Sequence, residues 1–287
     1  MIDIHTHLGR WGTPGEETMD EAELLRQMDR LGIAQAVILP FSLSPEVSMF
    51  PFDTDAVLGV YRRHPDRIIP FCNMDPRTGN SPEADFGWIF EEFKAAGCRG
   101  LGELVANIHF DDPRCVNLYR QCAQFSFPIV FHLAVDVAYG LYGVADEMGL
   151  PRLERMLREC PDTVFIGHAM GFWSEIASNV EPATRGGYPD EKVAGQGRVP
   201  ELLRKYPNLY GDLSAGSGLN AISRDPEFGY RFLEEHQDKL LFGTDICHVN
   251  QEVEIVPYLN QALAEAKISQ TCYDKICHLN ARMLLGL

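Results

Sequence analysis

Met1-Ile2-Asp3-Ile4-His5-Thr6-His7-Leu8-Gly9 opens the chain, and its reading decides the fold. Residues 2–5 form an apolar, strand-like run with no basic segment and apolar core of the kind that marks an export signal. The turn that follows, His-Thr-His-Leu-Gly, lacks the glycine-rich phosphate cradle with which a doubly wound open sheet usually begins. Seven runs of similar character follow at 35–39, 67–72, 100–104, 129–132, 163–168, 209–213 and 240–245. Each is rich in Ile, Val, Leu or Phe and lacks apolar–polar alternation, as suits strands buried on both faces of a parallel sheet.

Between these runs lie amphipathic helical patterns. Thr18 with Glu21 fits a capping box, and Gly32 supplies a left-handed stop after Leu31. Ser81-Pro82 predicts another helix start, with Gly97 closing that helix. Further helices are expected over 198–206, 226–236 and 251–266. Eight strand–helix units at a mean step of about 34 residues predict a single (β/α)8 TIM barrel over residues 1–287. The segment 171–197 breaks the rhythm with a Pro/Gly-rich, irregular composition. It follows strand six, so it is read as a lid over the C-terminal face of the barrel.

Bulk properties bound the partners. The chain has 287 residues and a formal net charge of -16. That charge disfavours nucleic acid and anionic membrane surfaces, and leaves a small molecule as the expected partner. No apolar run is long enough to cross a bilayer. The eight cysteines include no Cys-x-x-Cys pair and several sit in apolar contexts. They read as buried free thiols in a reducing compartment, so a cytoplasmic location is expected.

The chemistry gathers at the strand ends. His5 and His7 lie two apart on a strand, so both imidazoles face one side and can grip one metal. A His-x-His pair alone is common, but four other strand ends carry metal-competent side chains: Glu103, His132, His168 and Asp245. All fall where strands give way to loops, the face on which β/α barrels keep their active sites. A carboxylate buried at the end of an apolar strand needs a cation or donors, which applies to Glu103 and Asp245. Imidazole and carboxylate without thiolate suits zinc, manganese or iron in a site left open to water. Arg10, Trp11, Arg185 and His248 near the mouth are candidate substrate-binding residues. His64 and His236 sit near helix C-termini, where a cation is favoured on structural grounds alone.

From Asp3-Ile4-His5-Thr6-His7 through Gly167-His168-Ala169-Met170 and Gly243-Thr244-Asp245 to Asn280-Ala281-Arg282-Met283-Leu284-Leu285-Gly286, the chain resembles the amidohydrolase superfamily. The likeness is to its amidohydrolase-related branch of metal-dependent hydrolases and decarboxylases. The resemblance implies a distorted barrel holding one or two divalent ions. It implies His5, His7, His132 and Asp245 as ligands of a first ion, with His168 binding a second or polarising a substrate carbonyl. Glu103 departs from the simplest pattern: binuclear members often place a modified lysine there, and TatD-type members of a neighbouring branch a glutamate. Two ions bridged by Glu103 are therefore expected, with a single ion and an outer-shell Glu103 as the alternative.

The expected reaction is hydrolysis of a C–O or C–N bond in an ester, lactone or amide, with Asp245 and His168 as catalytic groups. Non-oxidative decarboxylation or hydration of a small carboxylic acid is the alternative, and metal count discriminates the two. A catalytically silent metabolite-binding barrel is the reading from another class, to be distinguished by failure to retain metal. The resemblance also makes a homo-oligomer possible.

Overall fold

The computed structural model describes residues 1–11, 17–41, 44–47, 49–50 and 52–287, without the side chains of residues 11, 49 and 50. All eight runs form strands: β1 (Ile2–Thr6), β2 (Gln35–Ile38), β3 (Ile68–Pro70), β4 (Leu101–Leu104), β5 (Ile129–Ala134), β6 (Phe165–His168), β7 (Leu209–Asp212) and β8 (Leu240–Leu241). They pair in parallel in chain order, β1–β2–β3 in one sheet and β4 to β8 in another. Parallel bridges Cys72–Leu101 and Thr6–Ile246 join the two sheets at both seams. The Ile4 amide donating to the Phe242 carbonyl at 3.0 Å and the His7 amide donating to Ile246 at 2.8 Å complete the β8–β1 seam. The sheet thus closes on itself, and the chain is a β/α barrel rather than an open doubly wound sheet.

Burial follows the two faces of that ring. Ile2, Ile4, Val37, Leu39, Ile69, Phe71, Val130, Ile166 and Leu241 pack on one another inside it. Ala281 and Leu285 of the C-terminal helix (Asn280–Leu285) join this inner cluster. The Asn280 amide donates to the carbonyl of Leu240, at the start of β8, at 2.8 Å. That helix therefore plugs the N-terminal end of the barrel and leaves the C-terminal end for chemistry. The outer faces of the strands pack on the helices through Phe110, Phe131, Phe165, Phe172 and Trp173 among others. Burying each such ring contributes about 1.5–3 kcal/mol.

Helix ends differ from the sequence expectation in instructive ways. Helix α1 (Glu21–Leu31) is capped by Asp20, whose carboxylate accepts from the Glu23 amide, and not by Thr18. A carboxylate at the cap also complements the helix dipole, as a hydroxyl does not. The Ser81-Pro82 signal starts only a turn, in which Ser81 Oγ accepts from the Glu83 amide at 3.1 Å. The helix itself is Gly87–Ala96, closed by a left-handed Gly97. The last expected helix shortens to Ile255–Ala264, because residues 247–251 are held in a turn described below.

The segment 171–197 also divides. Its first seven residues are buried, in a helical turn Met170–Trp173 and a 3-10 turn Ser174–Ile176. Trp173 Nε1 donates to the Asp212 carbonyl at 2.7 Å, which makes this part core rather than lid. Ala177 then bridges Gln196, and the mostly exposed excursion is confined to the residues between them.

A candidate metal centre at the strand ends

Two bulges aim the ligand-type side chains. Between Asp3 and Thr6 of β1 the register with β2 advances by one residue fewer on the partner, Ala36 to Ile38. The extra residue resets the pleat, so that Ile2 and Ile4 below and His5 and His7 above all address the interior. The same device recurs in β4, where Leu101 to Leu104 faces Ile129 to Phe131 and delivers Glu103.

The histidine pair is set by its outer nitrogens. His5 Nδ1 donates to Asp212 Oδ2 at 2.6 Å, and His7 Nδ1 donates to the Leu39 carbonyl at 3.0 Å. Each partner accepts only, so the Nε2 of each neutral ring carries a lone pair. These two Nε2 atoms face one another at 2.9 Å. Two ring nitrogens at that distance need a positive charge between them, either a proton on one Nε2 or a metal ion shared by both. Glu103 Oε2 stands 3.7 Å from His5 Nε2 and 3.5 Å from His7 Nε2; Asp245 Oδ1 stands 3.6 and 3.4 Å from the same atoms. Ligand bonds of about 2.1 Å to one centre place donors roughly 3.0 Å apart at right angles and 3.4 Å apart at tetrahedral angles. His5, His7 and Asp245 therefore form one group whose donors are close enough to share a divalent ion, and His5, Glu103 and His168 form a second.

Glu103 reaches further with its other oxygen. His132 Nδ1 lies 2.8 Å from Glu103 Oε1, and His168 Nε2 lies 3.8 Å from it. One carboxylate thus spans two groups, His5–His7–Asp245 on one side and His132–His168 on the other. The structure brings all six predicted ligands together, with His132 joined through Glu103 rather than directly to the histidine pair.

Two buried carboxylates of this site were not singled out from sequence. Asp212, at the end of β7, receives His5 Nδ1, lies 3.1 Å from His168 Nδ1, and accepts from Ser214 Oγ at 2.7 Å. Asp3 accepts from the His5 amide at 3.0 Å and from the Thr244 amide and hydroxyl at 3.0 and 2.5 Å, tying β1 to the loop carrying Asp245. The signal for Asp212 was present: a carboxylate ending an apolar strand, as at Glu103 and Asp245.

Electrostatically the site attracts positive charge. Burial works against ionisation of Glu103, Asp212 and Asp245, yet the facing imidazoles hold all three below the usual carboxylate range. Burial likewise opposes protonation of His5, but the fields of Asp212 and Asp245 outweigh it and raise its pKa well above the ordinary value. Among the described residues, every ion pair these carboxylates make is with a histidine. Asp3, lacking such a partner, is pushed by burial up to about 7.

The mouth residues fare differently. Arg185 is buried; it lies 2.8 Å from Glu175 Oε1 and donates to the Asp146 carbonyl at 2.7 Å. It is a strut between the excursion and the barrel loops, which corrects the expectation of a substrate-binding arginine. Arg10 is exposed, and its backbone pairs with Phe50; the Trp11 side chain lies outside the described residues. His248 is exposed, with its carbonyl held by Gln27. Nearer the site is Tyr142, half-buried, with its ring 4.4 Å from that of His132. Gly143 makes this approach possible: at φ 105°, an added Cβ would lie 2.6 Å from the His132 carbonyl. Tyr188, from the excursion, lies within the field of Asp245, as does Tyr142. A separate recess of about 810 Å³ opens among Pro45, Glu46, Asn107 and residues 137–140, lined by none of the histidines.

Residues 2–287 match the amidohydrolase family. The fold is similar to that of a probable 2-pyrone-4,6-dicarboxylic acid hydrolase from Acinetobacter baumannii, with TM-score 0.60 at 13% identity, covering 100% of this chain and 99% of the other. It is also similar to 2,6-dihydroxybenzoate decarboxylase from Rhizobium, with TM-score 0.61 at 16% identity, covering 99% and 98%. A third likeness is to an amidohydrolase from Burkholderia multivorans with bound zinc, with TM-score 0.61 at 13% identity, covering 100% and 99%. No curated protein matches the chain.

Proposed function

Because the chain belongs to the amidohydrolase family, we propose that it is a metal-dependent hydrolase that cleaves an ester, lactone or amide of a small molecule. His5, His7 and Asp245 would hold the ion with Glu103 beside them, and Glu103 with His132 and His168 would share a second. The observation that carries the reading is the position of Asp245. Its carboxylate touches both facing Nε2 atoms while its side chain is 23% exposed, against 2% for Glu103. It is the one member of the donor set open to incoming water.

A divalent ion supplies Lewis acidity, which lowers the pKa of water toward neutrality. Asp245 then accepts the proton as water attacks the substrate carbonyl and returns it to the leaving oxygen or nitrogen. Where one ion is bound rather than two, His168, oriented by Asp212 and Ser214 through Nδ1, would instead face the developing oxyanion with Nε2. Tyr142 and Tyr188 form part of the rim through which the substrate enters, and the excursion carrying Tyr188 acts as the lid.

Decarboxylation is the second reading, favoured by the decarboxylase among the similar folds. Turnover of a hit from a panel of lactones, esters, amides and aromatic acids in ¹⁸O-water separates the two. Hydrolysis places ¹⁸O in the product carboxylate, whereas release of CO₂ with no ¹⁸O in the organic product would overturn the proposal.

A further inference from the structure

The backbone of Asp245 is held by a residue that touches none of the metal-type donor atoms. It has φ 58°, a left-handed conformation that a side chain other than glycine keeps only where its surroundings enforce it. On one side the enforcement is visible in the barrel: the Asp245 amide donates to the His5 carbonyl at 2.8 Å, and Thr244 is tied to Asp3. On the other side stands Gln251. Its Nε2 donates to the Asp245 carbonyl at 2.9 Å, and its Oε1 accepts from the amides of Cys247 at 2.9 Å and His248 at 3.1 Å. One side-chain amide thus satisfies three backbone groups of the turn that leaves β8.

The turn is in turn docked on α1. Gln27 Nε2 donates to the His248 carbonyl at 2.9 Å, and Arg30 donates to the Gln251 carbonyl at 2.9 Å. Glu23 Oε1 accepts from the Asn250 amide at 3.0 Å, while Arg26 donates to Asn250 Oδ1 at 2.6 Å. We propose that Gln251 is a positioning residue for Asp245, clamping its left-handed backbone against His5 and His7 with α1 as the anvil. The inference rests on the reading of Asp245 as a ligand and proton acceptor, and deepens it. Among the described residues the Gln251 amide is the group that holds the Asp245 carbonyl, so without it the turn can relax and the carboxylate can swing out of the donor set.

Two variants test this. Gln251→Ala removes the whole clamp; Gln251→Glu keeps the acceptor for Cys247 and His248 but loses the donor to Asp245, and serves if the alanine protein does not fold. Crystal structures of both without metal report the Asp245 conformation directly. Titration with Co²⁺ alone, followed by its visible absorption, compares wild type, Gln251→Ala, Asp245→Asn and the double variant. The expected result is Asp245 displaced from the left-handed region and from His7, with Co²⁺ affinity reduced about tenfold. Gln251→Ala then adds nothing further once Asp245 is Asn. Asp245 unmoved in the variant structures, or additive losses of Co²⁺ affinity, would overturn the proposal. A wild-type protein that takes up no Co²⁺ contradicts the metal reading instead, and the clamp then stands or falls on the position of Asp245 in the variant structures.

Discussion

Replacing Asp212 by Asn probes the part of the site least obvious from its donor atoms. Asp212 accepts from His5 at 2.6 Å and from Ser214 Oγ at 2.7 Å through Oδ2, lies 3.1 Å from His168, and accepts from the Ser214 amide at 2.9 Å through Oδ1. An asparagine has the same shape but one acceptor oxygen and no charge. It can serve either the His5 and His168 side or the Ser214 amide, never both. The lost contact is a charge-assisted bond between fully buried groups, worth about 1.5–3 kcal/mol. The carboxylate also fixes His5 with its lone pair at Nε2, so most of that energy is felt at the metal. Asp212→Asn is therefore expected to weaken metal binding by about 10- to 100-fold, measured by competition with a chromogenic chelator. Melting temperature of the metal-free protein and its circular dichroism control for folding. A folded variant that binds metal within twofold of wild type would refute the reasoning, since it would show that the orientation of His5 does not depend on Asp212.

Other outcomes follow from the same geometry. Asp245→Asn should fold normally and lose turnover by about 100-fold or more, as expected on removing a general base; activity near wild type would remove Asp245 from that role. Tyr142→Phe should leave the melting temperature within a degree or two and alter KM or kcat for the best substrate, whereas unchanged kinetics would take the phenol off the substrate path. His236 is buried, and burial drops its pKa to about 4. The folded state therefore keeps it neutral where the unfolded chain, near 6.5, takes up a proton. Its contribution is present above pH 6.5 and lost as pH falls toward 4, by up to about 2 to 3 kcal/mol. Urea unfolding of wild type and His236→Gln across that window should show the difference in stability shrinking as pH falls; a constant difference contradicts the assignment.

How much of this was legible in the sequence differs by level. The eight strands are apolar on both faces, so composition alone marked them, and the spacing fixed their parallel order. Strand ends collected His5, His7, Glu103, His132, His168 and Asp245 because ligand-type side chains stand out against apolar runs. Asp212 met the same criterion, but its role as the shared partner of His5 and His168 depends on two strands far apart in the chain. Asp3 was hidden differently: it lies within a strand and finds its donors on the loop after β8. The β1 bulge was equally illegible, since a one-residue register shift leaves no compositional trace. Arg185 looked like a free cation because sequence cannot show Glu175 and the Asp146 carbonyl closing around it. His236 was read as a helix-end cation, but its burial outweighs the dipole. The Ser81-Pro82 and Thr18 signals failed because local capping chemistry also serves turns, and tertiary packing selects which one begins a helix.

The account stands on a cation shared by the two facing Nε2 atoms of His5 and His7. Elemental analysis of the purified chain, wild type beside a His5→Ala, His7→Ala double variant, tests it most directly. The prediction is at least one divalent ion of zinc, manganese or iron type per wild-type chain, and none retained by a variant that still folds. Equal metal content in the two proteins, or a wild-type chain that turns over substrate after its metal has been stripped to background, would contradict it.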